Sequence, residues 1–94
     1  METTTVHVVC AGNRRDLKPV AVSARRPQRG QSKVMKVERQ VLAAGYVFVL
    51  YRGGRTCKVL SASVDRERLE LVRGRMTKRP EAYAIAQVPV VQAW

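Results

Sequence analysis

Residues able to do chemistry are few in this chain, and their spacing assembles no catalytic pattern. The one histidine, His7, sits in the β-branched run Thr3-Thr-Thr-Val-His-Val-Val-Cys10, where an imidazole packs or faces solvent more often than it acts as a general base. Cys10 and Cys57 stand alone in valine-rich segments, not as a CxxC pair, and with only His7 beside them a zinc site lacks ligands. They read as small buried thiols kept reduced, with a disulfide between them as the alternative. The seven carboxylates are dispersed, and Asp65, Glu67 and Glu70 suit local pairing with Arg66 and Arg68 on one helix. Arg52-Gly-Gly-Arg55 lacks the GxxxxGK[ST] spacing that cradles nucleotide phosphates. These residues predict a protein that is not an enzyme and uses no metal, cofactor or small-molecule substrate.

Charge is the outlying property. Eighteen Lys and Arg stand against seven Asp and Glu, a net charge of +11 with a pI near 10.9. Solubility asks for a net charge of only about 2–8 in a small domain, so the excess implies an anionic partner. Most of the cations are arginines, suited to forked contacts with phosphate and to stacking on bases. They collect in three places. Arg14 and Arg15 lie at the first turn. Residues 25–39 carry Arg25, Arg26, Arg29, Lys33, Lys36 and Arg39 against one acid. Residues 73–79 carry Arg73, Arg75, Lys78 and Arg79 with no acid. Pro27 and Gly30 interrupt the second run as the tip of a hairpin would, so the sequence predicts a basic finger lying along a phosphate backbone without reading bases. That finger has no aromatic platform, which argues against a base-stacking single-strand binder.

The elements that must position these residues fit a single domain spanning residues 1–94. A first strand is predicted over 3–10, followed by a turn at Gly12 and Asn13. Residues 16–26 fit a strand after a short turn, or a very short helix that Pro19 would limit. Residues 33–40 alternate as one arm of the hairpin, and Tyr46-Val-Phe-Val-Leu-Tyr51 is the most strand-like run. A tight turn at 52–55 leads to a strand over 56–60. Ser63 reads as the N-cap of a helix over 64–73, closed by Gly74. Residues 82–91 read as a final edge strand, consistent with Pro89. The predicted class is α+β: a small antiparallel sheet of about four strands with one clear helix, split-βαβ-like. Met-Glu-Thr-Thr-Thr lacks the basic region and apolar run of a signal peptide, and no stretch is long and apolar enough to cross a membrane. A cytoplasmic location without membrane partners is therefore expected.

Lys36-Val-Glu-Arg-Gln-Val-Leu-Ala-Ala-Gly-Tyr-Val-Phe-Val-Leu50 resembles the central signature of the N-terminal (NGN) domain of NusG-type transcription elongation factors. In that family a basic hairpin precedes a segment ending in Gly-Tyr-Val-Phe-Val that enters the central strand, and Arg25 to Arg39 falls where that hairpin belongs. The resemblance covers residues 6–73, and Gly45-Tyr46-Val47-Phe48-Val49 with its lead-in is its specific part. It implies an NGN-like fold, docking on RNA polymerase and contact with nearby DNA or RNA, altering elongation, pausing or termination. The docking surface it implies is Leu42, Ala43, Ala44, Tyr46 and Phe48. Ala43-Ala44 stand where the family has Phe-Pro, which removes an aromatic of that surface. The family's long first helix has too little chain here, and its C-terminal KOW barrel has no room. Such a stripped domain suits a bacteriophage or mobile element, in antitermination for example.

The expected function is thus a minimal NusG-like transcription factor. Two other readings stand beside it. One is a small basic RNA- or DNA-binding protein, ribosome-associated or architectural, without polymerase contact. The other is an inhibitor that docks on an acidic or nucleic-acid-binding surface of a host protein.

Overall fold

The structure, a computed structural model, describes residues 2–27, 31–76 and 78–91. Six strands carry most of the chain: β1 (Thr3–Asn13), β2 (Asp16–Ser23), β3 (Gln31–Glu38), β4 (Tyr46–Arg52), β5 (Lys58–Ser63) and β6 (Ala84–Val91). A helical turn, α1 (Gln40–Ala44), precedes β4, and one longer helix, α2 (Arg66–Met76), links β5 to β6 with a short 3-10 turn at Pro80–Ala82. The strands form one mixed sheet in the order β3-β1-β2-β6-β4-β5. It curls until β3 and β5 approach each other without hydrogen-bonding, a nearly closed barrel. The expected four-stranded, NGN-like α+β sheet is therefore incorrect. The sheet has six strands, with residues 16–23 and 84–91 among them and a parallel β2–β6 pair, and α2 remains its one longer helix.

Valine dominates because both faces of the wall are in use. Val6, Val8 and Cys10 of β1, Val37 of β3, Val47, Val49 and Tyr51 of β4 and Val88 of β6 alternate into one interior, with Val22, Val41 and Cys57 beside them. Two irregularities curl the sheet. Val20 is the extra residue opposite Val9 and Cys10, and Leu60 the extra one opposite Leu50 and Tyr51. On the outer face, α2 covers β4 and β5, where Leu50 and Leu69 are fully buried apart from the main cluster.

Three further expectations change. Residues 25–39 are not a hairpin: β2 and β3 both pair with β1, which lies between them, so the chain crosses over from one side of β1 to the other, and residues 28–30 at the expected tip lie outside the described residues. β6 is not an edge strand, since it pairs with β4 and with β2. Pro89 is tolerated because Val90 donates its N–H to Gly45 on the β4 side, which turns the proline nitrogen toward β2, where pairing is confined to Val90 and Val91. Finally, α2 starts two residues later than expected. Asp65 Oδ1 accepts the Glu67 N–H at 3.0 Å as its cap, while Ser63 Oγ accepts the Asp65 N–H at 3.1 Å.

Candidate nucleic-acid interface

β1 and β4 finish, and β2, β3, β5 and β6 begin, at one end of the barrel. That end gathers cations far apart in sequence. The β1–β2 turn supplies Arg14 and Arg15, shaped by Asn13, whose Oδ1 accepts the Arg15 N–H at 3.0 Å. Lys18 follows on β2, and Lys33 lies near the start of β3. The β4–β5 connection adds Arg52, Arg55 and Lys58. Leu17 ties the two connections together by donating its N–H to the Gly54 carbonyl at 3.0 Å. Against these seven cations the end carries one carboxylate on the same turns, Asp16, already 3.4 Å from Lys18.

The opposite end and the helix are close to neutral. Arg39 pairs with Glu2 at 3.1 Å, Arg68 with Glu38, and Glu70 with both Arg66 (3.9 Å) and Arg73 (3.3 Å). Arg68 thus reaches across to β3 and not along its own helix. Five of the seven acids, Glu2, Glu38, Asp65, Glu67 and Glu70, lie in this part of the fold. The net charge is therefore concentrated, which strengthens the field that a polyanion meets at the basic end.

The residues expected from the sequence divide accordingly. Arg14, Arg15 and Lys33 stand at the basic end. Arg75 in the last turn of α2, and Lys78 and Arg79 on the connection after it, lie on the path that returns to that end, since this segment leads to Ala84 opposite Tyr51. Arg73 sits lower on α2, held by Glu70 and donating to the Tyr83 carbonyl at 3.5 Å. Arg25 and Arg26 follow Ser23 at the far end, Arg39 is engaged by Glu2, and Lys36 faces outward from β3 opposite Thr5. Arg29 lies outside the described residues. Lys18, Arg52, Arg55 and Lys58 were not among the expected residues. The signal for the last three was the run Arg52-Gly-Gly-Arg-Thr-Cys-Lys58, inconspicuous until the topology sets it beside the first turn.

Lys33, though exposed, lies on the interior side of its strand. It is the cross-strand neighbour of Val8, so it shares the inner face of the wall near the open end. Its charge reaches Cys10, but burial, reinforced by the neighbouring Cys57 thiol, wins and pushes the Cys10 thiol up to about 12. Both thiols are free and buried, and the raised Cys10 thiol stays protonated at neutral pH. His7 Nδ1 is buried without a hydrogen-bond partner among the described residues, on the outer side of β1. No group of His, Cys, Asp and Glu able to hold a metal occurs among the described residues. No helix of the described residues is long and apolar enough to cross a membrane.

The residues of the expected docking surface lie elsewhere, toward the start of β4. Tyr46 and Phe48 point out of the barrel, their rings edge-to-face with centroids 5.9 Å apart. Tyr46 is 40% exposed and Phe48 half-buried. Ala43 and Ala44 are exposed on α1, whereas Leu42 packs against the core. Compared with protein-family models, curated proteins and solved structures, the chain matches none of them.

Proposed function

We propose that this chain binds nucleic acid along its phosphate backbone through the basic end of the barrel. One observation carries the reading: cations from four separate stretches converge on that end against two carboxylates, Asp16 and Glu81, while the other five acids offset the charge of the rest of the molecule. Arginines on short connections suit phosphate oxygens, which fix position without reading sequence. Binding of this kind is steeply salt-dependent, because each neutralised phosphate releases counterions. The test is a salt titration of duplex and single-stranded oligonucleotide binding. A slope on duplex of about −5 in log affinity against log salt is expected for five to six phosphates engaged. A slope near zero would remove the reading.

A second reading, RNA polymerase docking with an effect on elongation, pausing or termination, is favoured by the outward placement of Tyr46 and Phe48. The core is filled by Val47, Val49 and Tyr51 instead, which leaves that aromatic pair available to a protein surface. It predicts co-purification with RNA polymerase that survives nuclease treatment and is lost in Tyr46→Ala/Phe48→Ala. Loss of co-purification on nuclease treatment alone would leave only the first reading.

A further inference from the structure

The connection between β4 and β5 does more than add charge to the basic end. Arg52, Gly53, Gly54, Arg55, Thr56 and Lys58 line one open hollow of about 220 Å³. Three cationic side chains and a hydroxyl thus border a space lined partly by bare glycine backbone. The loop is also braced from behind. Gly54 has φ of 147°, a conformation that side chains disfavour, and its carbonyl is held by the Leu17 N–H at 3.0 Å. A Cβ on Gly53 would stand 3.2 Å from both Asp16 Oδ1 and the Leu17 carbonyl, so glycine lets the loop lie flat on β2. A cationic loop fixed in this way offers its donors without first having to be ordered.

We infer that this loop is a discrete single-phosphate site: Arg52 and Arg55 grip one phosphate group from two sides, with Lys58 and the Thr56 hydroxyl completing the shell. Arginine forks match phosphate oxygens bidentately, and glycine permits close approach of the anion to the backbone. The inference rests on the nucleic-acid reading only for the source of the phosphate, which is an internal backbone diester, a terminal monoester or a free ion. Within the basic end the loop then sets the register of the bound strand, while Arg14, Arg15 and Lys33 contribute longer-range attraction.

The experiment is a titration of the isotopically labelled full chain with inorganic phosphate, followed by backbone amide shifts. It is repeated with one oligonucleotide sequence carrying either a 5′-phosphate or a 5′-hydroxyl. Saturable shifts confined to residues 53–58 are expected with inorganic phosphate, and their loss in Arg52→Gln/Arg55→Gln. Gly53→Ala, which keeps every charge, is expected to weaken phosphate and oligonucleotide binding about tenfold, with the amide spectrum showing an intact fold elsewhere. Preference for the 5′-phosphate assigns the site to a terminal monoester, and equal binding assigns it to the backbone. Phosphate binding at the loop without any oligonucleotide binding would overturn the nucleic-acid reading and keep the site. Shifts spread evenly over all exposed arginines, or Gly53→Ala binding like the parent chain, would overturn the site and leave the wider basic surface standing.

Discussion

Val47, Val49 and Tyr51 point into the barrel and Tyr46, Phe48 and Leu50 away from it, yet Leu50 is as completely buried as the valines. The strand itself was legible from its β-branched and aromatic residues. Which face met the core was not, because α2 makes a second apolar layer that only the folded topology reveals. The thiols show the same limit. Their burial could be read from valine-rich surroundings, but not that Cys10 and Cys57 become neighbours. That setting has a measurable consequence. The folded chain holds the Cys10 proton up to about pH 12, whereas an unfolded thiol loses it near 9.0. The stabilisation is fully present below pH 9 and is lost as pH rises toward 12, because the unfolded state then binds fewer protons. Thermal midpoints measured from pH 8 to 11 should therefore fall less steeply in Cys10→Ala than in the parent. Parallel curves for the two proteins would show that the Cys10 proton is not linked to folding.

At the level of elements, α2 is attached to the sheet by a narrow strip of its surface. Leu69 is fully buried while Leu71, two residues on, is 60% exposed, and much of the remaining helix surface is charged. Leu69 and Val72 are three residues apart, a spacing that reads as one helical face, and the helix start was readable to within two residues, though with Ser63 and not Asp65 as its cap. The packing partner, the outer side of β4 at Leu50, was not. Leu69→Ala is expected to cost about 2–5 kcal/mol, a large fraction of the roughly 5–15 kcal/mol total of a small domain. Tyr46→Ala, on the same side of the same strand as Leu50 but exposed, should cost under about 1 kcal/mol. Chemical denaturation of the two variants compares them directly, and equal losses would contradict the assignment of Leu50 and Leu69 to a second core. The supposed hairpin at 25–39 failed for an element-level reason as well. Pro27 does follow the end of β2, but local residue types carry no information about whether a connection joins neighbouring strands or crosses over a third.

Across the whole molecule, the excess positive charge was plain in the composition and its geometry was not. Runs of cations at 25–39 and 73–79 looked like the binding surface because they are dense in sequence. Folding sends Arg25 and Arg26 to one end and Lys33 to the other, pairs Arg39 and Arg73 with acids, and assembles the basic end from short, separated contributions. A strand order in which β1–β2 meets β4–β5 creates that surface, and the Leu17–Gly54 bridge fixes it. The account is tested most directly by moving charge reversal between the two ends. Arg14→Glu/Arg15→Glu/Arg52→Glu/Arg55→Glu and, separately, Arg25→Glu/Arg26→Glu would be compared with the parent for oligonucleotide affinity over a salt series. Reversal at the basic end should weaken binding about a hundredfold or more and flatten the salt slope by about 4, one unit for each phosphate no longer neutralised. Reversal at Arg25 and Arg26 should change affinity only a few-fold. Equal weakening by the two variants would contradict the claim that binding resides at one end of the barrel.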